Sequence, residues 1–87
     1  MPKLGGTKMN IEQQVEKSLR DALEPTECSV VQVSPGHFEI AVRSTIFDGK
    51  STLQKHRLVL SQVAPFMKGD NAPVHAIDKI DARTPGG

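Results

Sequence analysis

From Asn10 onward the apolar positions of the chain recur with the period of a helix. In "NIEQQVEKSLRDALE" Ile11, Val15, Leu19 and Leu23 follow one another at four-residue steps, and Ala22 adds a three-residue step from Leu19, the spacing of one helix face. Asn10 with Gln13 three places later has the pattern of a capping box, and Pro25 stops the helix soon after Glu24. The period then shortens to two. "CSVVQVSPGHFEIAVRS" sets Cys28, Val30 and Gln32 against Ser29, Val31 and Val33, then Phe38, Ile40 and Val42 against Glu39, Ala41 and Arg43, which predicts two strands. Pro35 and Gly36 between them supply the chemistry of a tight hairpin.

A second helical region opens at Ser51 with the capping pattern Ser-x-x-Gln and runs to about Met67. Leu53, Leu60, Val63, Ala64 and Met67 are expected on its inward face. Pro65 should kink or shorten the last turns, because it lacks an N–H and clashes with the carbonyl of Ser61. After "KGDNAP" the stretch Val74 to Ala82 is β-branched enough for a third strand, with Lys79 and two aspartates toward its solvated end. The expected architecture is a single small α+β domain in α-β-β-α-α-β order, a three-stranded mixed sheet with helices packed on one face, the plan of a type II KH domain. Residues 1–8 and 84–87 lack periodicity and are read as flexible tails around a domain spanning 9–83.

Composition narrows the functional classes. A chain of 87 residues buries only ~60 to 65% of the surface its unfolded form exposes, so its core is small. Eleven Lys plus Arg against ten Asp plus Glu leave a net charge of +1, so any basic function must come from a local patch. The one candidate is "FDGKSTLQKHRLV", with Lys50, Lys55 and Arg57. Cys28 is the only cysteine, which excludes an internal disulfide or an all-thiolate metal site from one chain and fits a reducing compartment. No run is long and apolar enough for a membrane span or a signal peptide. The expectation is a soluble intracellular protein, cytoplasmic in the simplest case, with mitochondrion and plastid left open.

Enzymatic signatures are missing. Cys28 with His37, His56 or His75 could formally make a nucleophile–base pair, but no local spacing supports it, and neither GxGxxG nor a Walker-type loop occurs; we expect no enzyme. A nucleic-acid-binding transcriptional regulator of KH type is the alternative. It lacks the GXXG clamp, it offers Lys50, Lys55, Arg57 and Lys68 where a duplex binder makes about 6 to 10 phosphate contacts, and with no Trp or Tyr it has few rings for base stacking. Such binding would be weak. Metal binding is the third chemistry. His75 at the start of the last strand and His37 after the hairpin turn carry imidazole, although from residue chemistry alone each is more simply a surface or half-buried histidine. Cys28 alternates within a strand as a small buried hydrophobe would.

"IFDGKSTLQKHRLV" followed by "PVHAIDKIDARTP" resembles the BolA-like family. The resemblance rests on an F-x-G-K segment, a following basic His-Arg element ending in Val, a Val-His-Ala opening of the final strand, and "HFEIAV" for the His-Phe start of a strand. It extends from about Ile11 to Pro85. It implies an adaptor that pairs with CGFS-type monothiol glutaredoxins and shares with them a [2Fe-2S] cluster ligated by glutathione. His75 matches the family's expected iron ligand. A further ligand would come from the loop between the first two strands, here only "SPG" flanked by His37, so His37 is the nearest candidate by position. Imidazole in place of thiolate favours a higher potential and easier release, as in Rieske centres, which suits sensing or transfer. In this frame Phe47 is an apolar anchor, Gly49 a turn residue and Ser51 a helix cap. Lys50, Lys55 and Arg57 are expected to form a basic face beside His75 for an acidic glutaredoxin surface or glutathione carboxylates.

Overall fold

The computed structural model describes residues 9–86; the predicted tail over 1–8 and the last residue of the predicted tail over 84–87 lie outside them. Helix α1, Ile11–Leu23, starts at a complete capping box: the Gln13 N–H donates to Asn10 Oδ1 at 2.9 Å and the Asn10 N–H to Gln13 Oε1 at 3.0 Å. Val15, Leu19 and Leu23 are buried and Ile11 packs against them. Ala22, expected on this face, is exposed. At 100° per residue it stands a third of a turn from Leu23, and the larger side chains hold the interface.

Strands β1, Glu27–Ser34, and β2, His37–Arg43, form the predicted antiparallel hairpin. Gly36 turns it at φ +79°, a region in which only glycine is unstrained. β2 sends Phe38, Ile40 and Val42 into the core and alternates outward with Glu39 and Ala41. After β2 the chain makes a 3₁₀ turn, Thr45–Phe47, anchored by the fully buried Phe47. The buried Ser44 hydroxyl donates to the Leu23 carbonyl at 2.6 Å and accepts from the Ile46 N–H, which ties this turn to the end of α1. Gly49 takes φ +74°, and the reciprocal bonds between Ser51 and Gln54 start α2, Thr52–Val63. The expected roles of Phe47, Gly49 and Ser51 are thus what the structure shows.

Pro65 ends α2 instead of kinking it, and the chain continues as a 3₁₀ turn, Ala64–Phe66. In place of the two helices expected after the hairpin there is one α-helix with a 3₁₀ turn on either side. Its inward face agrees with expectation at Val63 and Met67 and differs at Leu53 and Leu60. Val59 and Val63 are fully buried, while Leu53 is 59% and Leu60 38% exposed. Leu53 and Leu60 do share a face, since seven residues return to within about 20° of the start, but it is the outer one. Val59 and Val63 form the contact stripe, with Leu58 packed beside them.

Strand β3, Ala76–Arg83, lies parallel to β2 and completes a sheet in the order β1-β2-β3. It begins two residues later than predicted, because Val74 is buried before the ladder starts and the His75 and Ala76 N–H groups both donate to the Gly36 carbonyl, at 2.8 and 3.0 Å. A register shift between Phe38 and Glu39 leaves Asp78 without an opposite residue. That extra residue allows Ile77 and Ile80, three apart, both to pack on the core, which strict alternation forbids. Both helices cover one face of the sheet. At the β1 edge, α1 side chains engage the strand's outward backbone: the Gln32 N–H donates to Glu12 Oε2 at 2.7 Å, and Arg20 Nη2 donates to the Cys28 carbonyl at 3.4 Å.

Candidate functional site

Because β2 and β3 are parallel, both start at the same end of the sheet, where the hairpin turn also lies. That topology gathers His37, the first residue of β2, and His75, immediately before β3. Each is held by a different neighbour. His75 is exposed, and its ring lies on the Gly36 backbone so closely that a β-carbon at residue 36 would fall 2.8 Å from the imidazole Cγ and 3.0 Å from Nδ1. His37 alternates with the buried Phe38 and so projects from the open face of the sheet. Its Nδ1 lies 3.0 Å from Asp78 Oδ1. A carboxylate only accepts, so Nδ1 carries the proton and the neutral ring keeps its lone pair at Nε2.

Asp78 was not singled out in the sequence, nor was Gly36 beyond its role in the turn. The only local signal for Asp78 is the three-residue step from Ile77 to Ile80, which calls for a bulge at the residue following Ile77. The contact of Gly36 with His75 has no local signal, since it depends on the parallel register of β2 and β3.

Among the described residues no group of three or more His, Cys, Asp or Glu is placed to hold a metal ion. The sheet end therefore offers two imidazoles and not a complete coordination sphere. Cys28 stands apart from it. Its residue pairs with Val42 at the opposite end of the hairpin, and burial, reinforced by the charge of Glu16 and opposed by Arg20, pushes its thiol up from 9.0 to about 11. Such a group is a poor thiolate donor.

Lys50 lies before α2, and Lys55 and Arg57 lie within it. α2 runs from the end of β2 toward the start of β3, so Lys50, before its first turn, is set toward the other end of the sheet from the histidines. The three cations do not form one patch. Lys50 and Arg57 line a groove with Gln54, Leu58 and Ser61. Lys55 is half-buried and stands about 160° around the helix from Arg57.

Two helices on one face of a three-stranded mixed sheet define a small two-layer α+β domain. The chain belongs to the BolA-like protein family, whose sequence profile matches residues 7–86. It is 36% identical over 80 residues to Protein BOLA2 of Arabidopsis thaliana, an alignment that covers 88% of this chain and 82% of that protein. It is 40% identical over 84 residues to human BolA-like protein 1, covering 86% of this chain but only 58% of the human protein; the chain thus spans little more than half of that relative's length. Among solved structures it resembles BolA1 from Arabidopsis thaliana, with a TM-score of 0.79 at 25% identity over 90% of this chain and 95% of that one. A Bol-like protein from Babesia bovis superposes with a TM-score of 0.74 at 32% identity, over 93% and 91% of the two chains. No helix among the described residues is long and apolar enough to cross a membrane.

Proposed function

We propose that the chain is an adaptor in iron–sulfur cluster traffic. It docks a CGFS-type monothiol glutaredoxin and takes a share in the glutathione-ligated [2Fe-2S] cluster which that partner carries, through His75 and, as a second donor, His37. The observation that carries this reading is the placement of two histidines at one end of the sheet, His75 packed on Gly36 and His37 within 3.0 Å of Asp78.

The donor count supports it. A [2Fe-2S] cluster takes four protein or thiol ligands, and two imidazoles leave two positions for the glutaredoxin cysteine and glutathione. With imidazoles replacing thiolates the bound cluster has a higher potential and a weaker hold, which favours hand-over. The chain's own residues bind and orient. Asp78 keeps the proton on His37 Nδ1 and leaves Nε2 as donor, and Gly36 leaves room for the His75 ring. No side chain is required to move a substrate bond, so the role is that of an adaptor and not of an enzyme. It belongs in a reducing intracellular setting where glutathione is available.

The test is a visible circular dichroism titration of cluster-loaded monothiol glutaredoxin with this protein. A new spectrum that saturates at one-to-one stoichiometry is the expected result. An unchanged spectrum, with the two proteins still binding, would leave a metal-free interaction domain.

A further inference from the structure

The outer face of α2 is unlike the rest of the surface. Between Asp48 and Asp70 the chain contains no acidic residue, yet it carries Lys50, Lys55, Arg57 and Lys68. None of these four enters an ion pair among the described residues. Outside this segment Lys17 is neutralised by Asp21, Arg20 by Glu16 and Arg83 by Asp81, each at 2.7 Å, and Lys79 is the other cation that enters no ion pair among the described residues. Two of the unpaired cations converge. Gln54, Arg57, Leu58 and Ser61, at i, i+3, i+4 and i+7, make one wall of a groove of about 280 Å³, and Lys50 closes its end. Leu53 and Leu60 flank Arg57 on the same face and are 59% and 38% exposed.

Apolar anchors one heptad apart with a cation between them match the way an amphipathic helix is received, by leucine-sized contacts along a stripe and charge pairing beside it. We infer that this groove is a second docking surface, and that its occupant is an acidic amphipathic helix of another protein. A nucleic-acid strand fits the same charge less well. Stacking needs exposed rings, but Phe38 and Phe47 are fully buried and Phe66 packs against the core, and these are the only aromatic residues of the chain. Phosphates would also leave Leu53 and Leu60 facing water.

The placement has a functional consequence. His37 projects from the open face of the sheet, whereas α2 covers the other face and leaves its groove pointing away. A partner in the groove and a partner at the histidine end therefore occupy different layers of the domain. The groove shares no residue with the histidine end, so it does not depend on the cluster-binding reading.

The test is an NMR titration of the ¹⁵N-labelled 87-residue chain with a synthetic amphipathic helical peptide carrying leucines on one face and glutamates beside them. The controls are the same peptide with lysine for glutamate, and a single-stranded DNA oligonucleotide. Saturable shifts centred on Lys50, Gln54, Arg57, Leu58 and Ser61 are expected with the acidic peptide. Arg57→Glu should weaken binding on the order of tenfold, because it sets like charges against each other, and Leu53→Ser combined with Leu60→Ser should weaken it without unfolding an exposed face. His75→Ala should bind the peptide as the unaltered chain does, which separates this inference from the cluster site. Equal shifts with the lysine peptide, tighter binding of the oligonucleotide at the same residues, or affinity unchanged in Arg57→Glu would overturn it.

Discussion

The ring of His75 rests directly on the backbone of Gly36, with no room between them for a β-carbon. The same glycine carbonyl accepts the His75 and Ala76 N–H groups. One turn residue therefore sets both the backbone position and the ring plane of the proposed ligand.

Gly36→Ala should separate these two effects from the chemistry of His75 itself. Alanine at φ +79° is strained, and its methyl group meets the imidazole, so a loss of about 1–3 kcal/mol is expected in denaturant unfolding. The His75 ring resonances should move as well. His75→Ala, at an exposed position, should change stability by no more than about 0.5 kcal/mol. Equal stability of Gly36→Ala and the unaltered chain would show that the turn can relax away from His75.

Asp78→Asn tests the orientation of His37. With the carboxylate present, Nδ1 of the neutral ring is the protonated nitrogen. The asparagine side chain can either accept from or donate to Nδ1, so the population of the other tautomer should rise in long-range ¹H–¹⁵N spectra. Stability should change little, because the pair is about half exposed. An identical tautomer ratio in the two proteins would remove Asp78 from the account.

Cys28 should be slow to alkylate. Its thiol is pushed up from 9.0 to about 11, which reduces the thiolate fraction near pH 8 by about a hundredfold relative to an unperturbed cysteine. The folded chain holds this proton longer than the unfolded chain. The contribution of Cys28 to stability is thus intact below about pH 9 and is lost as pH rises toward 11. Cys28→Ala should flatten that part of the stability profile. Rapid alkylation of the native protein at pH 8 would contradict the burial of the thiol.

Glu12 and Arg20 occupy the outward backbone of Gln32 and Cys28 on the β1 edge. An edge strand with free N–H and C=O groups is a template for pairing with another chain. The double replacement Glu12→Ala with Arg20→Ala should therefore increase concentration-dependent self-association in sedimentation equilibrium. Unchanged sedimentation would mean that these contacts do not protect the edge.

Much of the fold was legible because it is local. Both capping boxes, the hairpin with its glycine turn and the alternation of Phe38, Ile40 and Val42 can be read within a few residues of each position. The failures share a cause. Leu53 and Leu60 were expected inside together with Val63, but which face of α2 meets the sheet is decided by where β3 returns, and that places Val59 and Val63 against it and turns the two leucines outward. For the candidate site, the two histidines could be named from their chemistry and from the family resemblance. Their conjunction, and the supporting parts played by Gly36 and Asp78, depend on a parallel pairing between segments distant in sequence. The expectation that Lys50, Lys55 and Arg57 form one basic face failed for the same reason, since the angle between Lys55 and Arg57 cannot be judged from a cluster of basic letters.

The most direct measurement of the central claim is pulsed electron paramagnetic resonance on the reduced, cluster-bound complex of monothiol glutaredoxin with this protein, its histidines labelled with ¹⁵N. The account predicts hyperfine couplings from directly bound imidazole nitrogen, lost in His75→Ala and reduced in His37→Ala. A cluster-bound complex that shows no coupling to the labelled histidines would contradict it, because the partner would then hold the cluster without them.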